Sequence, residues 1–219
     1  MMSQINKKIK LAIFDVDKTI IEFSTLPKYL RFVIYNSKDI IKFFKLLVLN
    51  ILYYFKLING PLLRRKYFSL TKNIHKDELF AYGDQFTKLH INGHERKRLL
   101  KLIENFIENK TKVILISAGL DCYLSEYANS LGVDLICNQL VYNGGLSVGK
   151  TKDPYCFGED KVLLLRQVVD INQYDKDHIA IFSDSITDLP LFSLGNIKTA
   201  VFPDPQLLEI AKNNNYLIF

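Results

Sequence analysis

Two kinds of hydrophobic pattern follow one another along the chain. Short apolar runs rich in Ile and Val, typical of buried strands, occur at residues 9–15, 113–117, 179–183 and 199–202. Helical patterns separate or follow the later runs, at residues 120–131, 158–169 and 205–214. Strands that alternate with helices predict an α/β fold with a parallel sheet and right-handed crossovers.

Residues 22–108 interrupt this alternation. They contain helix-length segments without a strand pattern, so we expect an all-helical insert between the first and second strands. Residues 1–21 and 109–219 then form the core. Within the core, residues 133–150 indicate a β-hairpin that turns at Asn143-Gly144-Gly145.

The most apolar part of the insert is the segment 41–58. Its length is near the lower limit for a membrane span, and it carries Lys42, Lys45 and Lys56. These lysines share one helical stripe, which indicates an amphipathic helix with a broad apolar face. Three interpretations stay open: burial in the insert or at a homodimer contact, a peripheral contact with a membrane surface, or a membrane span.

The net charge of +6 is unevenly distributed. Residues 20–110 contain 17 Lys and Arg against 8 Asp and Glu, a net +9, whereas the rest of the chain has 12 against 15, a net −3. This asymmetry favours an anionic partner for the insert. We expect no nucleic-acid partner, because no nucleic-acid-binding module is recognisable.

Cysteine usage and the N-terminal pattern favour a cytoplasmic protein. The three cysteines show no metal-ligand spacing, and an odd number argues against a disulfide framework. The apolar run near the N-terminus is too short for the core of a signal peptide. We therefore expect a reducing, cytoplasmic location.

Polar residues follow three of the predicted strands at their carboxyl ends. The first strand leads into Asp15 and Asp17, the second delivers Ser117, and the third leads into Asp184 and Asp188. Because ligands of a parallel sheet gather at the carboxyl ends of its strands, we expect these side chains to share one crevice.

This arrangement predicts phosphoryl-transfer chemistry. Clustered carboxylates need a cation to remain ionised, and oxygen-only ligands favour Mg²⁺. One aspartate can attack phosphorus, while a second protonates the leaving alkoxide and later activates water. Ser117 and Lys161, which opens the helix before the third strand, would bind the phosphoryl oxygens. The substrate would be a small phosphorylated metabolite.

The chain resembles the haloacid dehalogenase superfamily of phosphatases, in the phosphoserine-phosphatase-like branch (subfamily IB) with a helical cap. Four motifs occur in the family's order, and they are D-x-D-x-T at Asp15, Asp17 and Thr19, the strand-end Ser117, Lys161, and D-x-x-x-D at Asp184 and Asp188. The resemblance covers the whole chain. It implies a Rossmann-like core with the cap at residues 22–108.

The resemblance also implies a role for each motif residue. Asp15 would be the nucleophile and Asp17 the general acid and base. Mg²⁺ would be held by Asp15, the backbone carbonyl of Asp17, and Asp184, with Asp188 ligating or supporting it. The phosphate would be bound by Thr19, Ser117, Lys161 and backbone N–H groups around Val16, Ala118 and Gly119.

Departures from the family pattern bear on the substrate. Ser183 and Ser185 flank Asp184 where glycines are frequent, and Thr187 replaces an asparagine usual in phosphoserine phosphatases. Ser24 stands where those enzymes carry a substrate-binding glutamate.

We therefore expect activity on small phosphorylated alcohols or amino alcohols above that on phosphoserine. Glu22, Ser24 and Thr187 are the expected substrate-binding residues. A membrane-surface phosphatase of lipid headgroups, a phosphoserine phosphatase and a non-catalytic binding protein are the alternatives. The complete set of mutually repelling acids argues against the last.

Overall fold

A computed structural model describes residues 9–219 of the chain. The strands are β1 (Leu11–Asp15), β2 (Lys112–Leu120), β3 (Asp134–Asn138), β4 (Leu140–Asn143), β5 (Leu146–Thr151), β6 (Ile179–Ser183), β7 (Ile197–Ala200) and β8 (Leu217–Ile218). Six of them form a parallel sheet in the order β3-β2-β1-β6-β7-β8, and β4 pairs with β5 as an antiparallel hairpin. The predicted α/β class is confirmed.

Helices of two groups accompany the sheet. Those between β1 and β2 are α1 (Thr25–Ser37), α2 (Ile40–Tyr54), α3 (Gly60–Phe68), α4 (Lys76–Phe86) and α5 (Lys97–Glu108). Those that follow β2 are α6 (Asp121–Leu131), α7 (Glu159–Val168), α8 (Leu189–Phe192) and α9 (Pro205–Asn213). The long excursion between the first two strands is therefore helical, as the pattern indicates.

Strand β1 lies in the middle of the sheet and is buried on both faces. Ala12 and Phe14 join one hydrophobic cluster, whereas Leu11 and Ile13 join a second cluster on the opposite face. This division follows from the alternation of side chains along a strand. A continuous apolar run with helices on both sides is typical of a central parallel strand, and it places Asp15 at the carboxyl edge of the sheet.

Helix α5 packs on the sheet. The ring of Phe106 lies 6.2 Å from that of Phe14 and 6.2 Å from that of Phe182, and the last two are stacked at 4.2 Å. The cap bounds of 22–108 stay a prediction, but this packing associates residues 97–108 with the core.

The segment 133–150 differs from its predicted form. Residues 134–138 form β3, the edge strand of the main sheet, and only residues 140–151 form the hairpin. Gly144 and Gly145 have φ values of 55° and 81°, so the turn lies where the two glycines predict it. An edge strand is only half-buried, which weakens its hydrophobic pattern.

Helix α2 buries only a narrow face, which includes Leu46 and the partly buried Leu49 that packs against the core. Leu46 is its one buried residue, whereas most of its large apolar side chains are exposed. Burial of this segment inside the insert is therefore the wrong interpretation. Within residues 9–219, no helix has the length and hydropathy that crossing a membrane requires.

Candidate active site

A cavity of about 80 Å³ opens at the carboxyl ends of β1, β2 and β6. Most of the predicted site residues line it, namely Asp15, Asp17, Ser24, Ala118, Lys161, Asp184, Thr187 and Asp188. A larger cavity of about 560 Å³ lies along β3 and contains none of the predicted site residues. The smaller cavity is therefore the candidate active site.

A buried ammonium organises the acids of this site. Lys161 Nζ lies 2.7 Å from Asp15 Oδ1 and 2.9 Å from Asp188 Oδ2, while the Ser183 hydroxyl donates to Asp188 Oδ2 at 2.6 Å. Burial alone would lower the pKa of Lys161, but the Asp15 and Asp188 carboxylates raise it well above its usual range. Lys161 is therefore a permanent positive charge next to Asp15.

Burial raises the pKa of Asp15 to about 8, although the ammonium of Lys161 opposes this rise. Burial also raises the pKa of Asp184 to about 6, against the effect of Lys18, and the neighbouring Asp188 adds to the rise. Both carboxyl groups thus lack enough positive charge to be fully ionised at neutral pH. A divalent cation would supply that charge.

The residues present fit a magnesium ion with few protein ligands. Thr19 Oγ1 lies 3.2 Å from Asp15 Oδ2 and 3.4 Å from Asp184 Oδ1, so these two carboxylates flank one buried hydroxyl. The carboxylate of Asp188 is engaged by Lys161 and Ser183, which favours a supporting role. Within residues 9–219, no three His, Cys, Asp or Glu side chains converge as a complete metal cage. Mg²⁺ commonly uses one or two carboxylates and retains water.

Asp17 has different surroundings from Asp15. The Thr25 hydroxyl donates to Asp17 Oδ1 at 2.6 Å, and the Thr25 backbone N–H donates to Oδ2 at 3.1 Å. Burial raises the pKa of Asp17, and the bonds from Thr25 offset only part of the rise. A carboxyl group held in one orientation by neutral donors, with a raised pKa, suits a general acid.

Arg64 also lines the cavity, and sequence reasoning did not assign it to the site. It comes from α3 of the insert, and its guanidinium carbon lies 5.0 Å from the ring centre of Phe157, a second lining residue. The run Arg64-Arg65-Lys66 reads as a solvated basic face. Only the docking of α3 over the strand ends selects Arg64 from this run.

Three predicted site residues lie outside the lining of the cavity. Glu22 is 55% exposed at its side chain and lies 3.9 Å from Arg96 Nη1, so the structure does not place it with the predicted substrate contacts. Thr19 is fully buried, and its hydroxyl accepts from the backbone N–H of Asp184 at 3.0 Å. Its position is that of a support for Asp15 and Asp184.

Ser117 is the third of these residues. Its hydroxyl is fully buried and accepts from the Gly119 backbone N–H at 3.0 Å. That bond engages the same N–H group that the resemblance assigns to phosphate binding. Ala118 lines the cavity directly, and Asn138 donates to its carbonyl at 2.9 Å.

Residues 12–193 match the family of haloacid dehalogenase-like hydrolases. The chain belongs to this family. A 100-residue segment, 45% of the chain, is 29% identical to a probable phosphatase of Mycobacterium tuberculosis and spans 34% of that protein's length. The match thus spans about a third of the curated relative.

Solved structures share the fold of this family member. A protein of unknown function from Bordetella pertussis Tohama I superposes with a TM-score of 0.84 at 20% identity, over 97% of this chain and 99% of that one. A substrate-bound phosphoserine phosphatase superposes with a TM-score of 0.65 at 18% identity, over 97% and 93% of the two chains. The predicted Rossmann-like core and the predicted superfamily are confirmed, whereas the phosphoserine-phosphatase-like branch stays a prediction.

Proposed function

We propose that this haloacid dehalogenase-like hydrolase is a Mg²⁺-dependent phosphomonoesterase acting on a small phosphorylated alcohol or amino alcohol. The observation that carries the proposal is the contrast between two carboxyl groups two residues apart. Asp15 is bonded to a buried ammonium and shares the Thr19 hydroxyl with Asp184, whereas Asp17 receives neutral donors. Such a pair divides the roles of nucleophile and proton donor.

In the first step, a carboxylate oxygen of Asp15 attacks phosphorus and the bond from phosphorus to the leaving oxygen breaks. Asp17 gives its proton to that oxygen, so the alcohol leaves neutral. Lys161 remains bonded to Asp15 and offsets the charge that collects on the phosphoryl oxygens. The product is an aspartyl-phosphate on Asp15.

In the second step, Asp17 is a carboxylate and accepts a proton from water. The water oxygen bonds to phosphorus, the bond from phosphorus to Asp15 breaks, and inorganic phosphate leaves. Asp15, Asp184 and the backbone carbonyl of Asp17 would hold Mg²⁺, which would supply positive charge to the phosphoryl oxygens.

The lining of the cavity supports a small leaving group. Ser24 and Thr187 offer hydroxyls, and Arg64 offers a fixed positive charge beside Phe157. Arg64 specifically favours a second candidate, a phosphomonoester whose leaving group carries a carboxylate, as phosphoserine does. Phosphoserine would place its ammonium near Ser24 without a matching carboxylate.

The decisive test compares Asp17→Asn with the parent on two kinds of substrate. p-Nitrophenolate leaves without a proton, so the variant should release a rapid burst of it from p-nitrophenyl phosphate and then turn over slowly. With glycerol phosphate the variant should lose at least about a hundredfold in rate, because the alkoxide needs the proton.

An acid-quenched sample taken during the burst should contain a hydroxylamine-sensitive phosphoenzyme in the variant. Asp15→Asn is the matched control and should show neither burst nor phosphoenzyme. Absence of phosphate release from every phosphomonoester tested with Mg²⁺ would favour the non-catalytic alternative.

A further inference from the structure

An ordinary surface helix buries its apolar face, whereas helix α2 exposes most of its apolar side chains to solvent. Its inner row contains Lys42, whose side chain is 15% exposed, then Leu46 at 5% exposure, then Asn50. Asn50 Oδ1 accepts from the Tyr67 hydroxyl of α3 at 2.6 Å. Asn50 thus attaches the row to α3, Lys42 pairs with Asp39 at the start of its own helix, and most of the apolar side chains of α2 point outwards.

The outer face of α2 and the turn that follows it form one apolar surface. We call this the α2 surface, and its exposed members are Ile40, Ile41, Phe43, Phe44, Leu47, Val48, Ile51, Tyr53, Tyr54, Phe55 and Leu57. Phe44 and Val48 are 58% and 52% exposed, and they border a groove of about 460 Å³ with Lys45 at its edge. A contiguous surface of this kind marks a site of interaction.

The charged residues of the chain segments that carry and adjoin the α2 surface are almost all positive. Residues 23–76 contain eleven Lys and Arg and one acid, Asp39. That acid is occupied, because Asp39 caps α2 through the Lys42 backbone N–H at 2.9 Å and pairs with the Lys42 ammonium at 3.4 Å. Within residues 9–219, the exposed Lys38, Lys45 and Lys56 form no salt bridge with a carboxylate.

An apolar face surrounded by positive charge favours an anionic membrane over a second copy of the chain as the partner that covers α2. A second copy of the chain would bring two strongly basic segments face to face, and their repulsion would oppose the contact. An anionic bilayer offers apolar chains to the outer face and negative headgroups to the lysines around it. The helix is also too short to cross, since 15 residues span about 22 Å against a hydrocarbon core of about 30 Å.

We infer that the α2 surface docks on an anionic lipid bilayer, with α2 lying parallel to the membrane plane. The phenylalanine, isoleucine and leucine side chains enter the interfacial layer, and the tyrosines lie at headgroup level. The lysines contact the anionic headgroups. This inference is independent of the proposed catalysis, because the docking surface contains no residue of the candidate active site.

Vesicle co-sedimentation of the full chain tests the inference. The parent should sediment with vesicles of phosphatidylcholine containing about 30% phosphatidylserine, at least about tenfold more than with phosphatidylcholine alone. Raising the salt concentration should release it, since exposed charges are screened. Failure to sediment with the anionic vesicles at low salt would overturn the inference.

Paired variants locate the contact. Phe44→Ser/Val48→Ser should lower binding at least about tenfold, whereas Leu163→Ser/Val168→Ser on α7 should leave it unchanged. The control residues are equally exposed, at 50% and 59%. Equal losses in both variants would overturn the assignment to α2.

A second pair separates charge from hydrophobicity. Lys45→Gln/Lys56→Gln should weaken binding to the anionic vesicles, and Lys101→Gln/Lys212→Gln should not. All of these side chains are exposed, so circular dichroism should show unchanged melting in every variant. A dimer in solution that Phe44→Ser/Val48→Ser dissociates without any loss of vesicle binding would assign the α2 surface to a second copy instead.

Discussion

Thr25, the first residue of α1, donates both its hydroxyl and its backbone N–H to the carboxylate of Asp17. The same hydroxyl lies 2.8 Å from the Tyr123 hydroxyl of α6. The first turn of the insert therefore orients the proposed general acid. Any movement of α1 would change the position of that acid, which couples the insert to proton transfer.

The Thr25→Val variant tests this coupling. Valine keeps the shape and the backbone bond but removes the hydroxyl, which lowers the pKa of Asp17 in the parent. The pKa of Asp17 should therefore rise, so Asp17 should stay protonated to higher pH. The alkaline limb of the kcat/KM profile should move upwards, and kcat should fall about tenfold. Thr25→Ser should restore the parental profile. If the alkaline limb of the kcat/KM profile is unchanged in Thr25→Val, Asp17 is not the general acid.

Asp15→Asn should abolish turnover and leave the fold intact. The amide has nearly the same shape, but it cannot attack phosphorus, and it removes one charge from a cluster of acids. Phosphate release measured beside a thermal melt checks both parts. Activity within about tenfold of the parent would exclude Asp15 as the nucleophile.

Removal of divalent metal should abolish activity. Asp15 and Asp184 both have raised pKa values without a cation, so chelation by EDTA should leave the nucleophile largely protonated at neutral pH. Mg²⁺ should restore turnover, whereas Ca²⁺ should inhibit, because its higher coordination number lets both Asp15 oxygens bind it. Full activity in chelator would contradict the proposed metal requirement.

Lys161→Met should reduce kcat/KM by at least about a hundredfold, since the buried ammonium balances both Asp15 and the transferring group. In metal-free protein above about pH 8, where Asp15 is ionised, it should also lower the free energy of unfolding by about 3–5 kcal/mol, because Asp15 and Asp188 lose their counter-charge.

The stability deficit of Lys161→Met should shrink as the pH falls. Without the ammonium, the pKa of Asp15 rises above the value of about 8 that it has in the parent, so between these two pKa values acid protonates Asp15 only in the folded variant and relieves the repulsion. Urea midpoints at several pH values check the sign. A deficit that grows towards low pH would show that Lys161 does not compensate these acids.

Ser24→Glu should shift the substrate preference towards phosphoserine. A carboxylate near a bound ammonium contributes about 1–3 kcal/mol when partly buried. The measurement is kcat/KM for phosphoserine, phosphoethanolamine and glycerol phosphate in parent and variant. A parent that already favours phosphoserine by about tenfold or more would refute the argument from Ser24.

Arg64→Met is the companion variant for that experiment. Glycerol phosphate and phosphoethanolamine lack a carboxylate, so their kcat/KM values should change less than that of phosphoserine if Arg64 binds a carboxylate. A uniform loss would instead assign Arg64 to the phosphoryl group.

The local patterns of the chain determined the sheet and most of the site. Buried strands give continuous apolar runs, and parallel strands end at one edge of the sheet. The sequence alone therefore predicts that Asp15 and Asp184 lie close together. The half-buried β3 was missed because its pattern is weak and the neighbouring Gly144-Gly145 signal is strong.

The sequence by itself determined the α/β core, the helical insert, and the order of acids and lysine along the strand ends. Tertiary structure alone decided how each charge is compensated. It placed the Thr19 hydroxyl against the Asp15 carboxylate, and it placed Glu22 near Arg96, outside the cavity. It also brought Arg64 into the cavity and directed the apolar side of α2 outwards. Helical periodicity gives the spacing of residues on a helix, but the direction that each face takes depends on packing between elements distant in the chain.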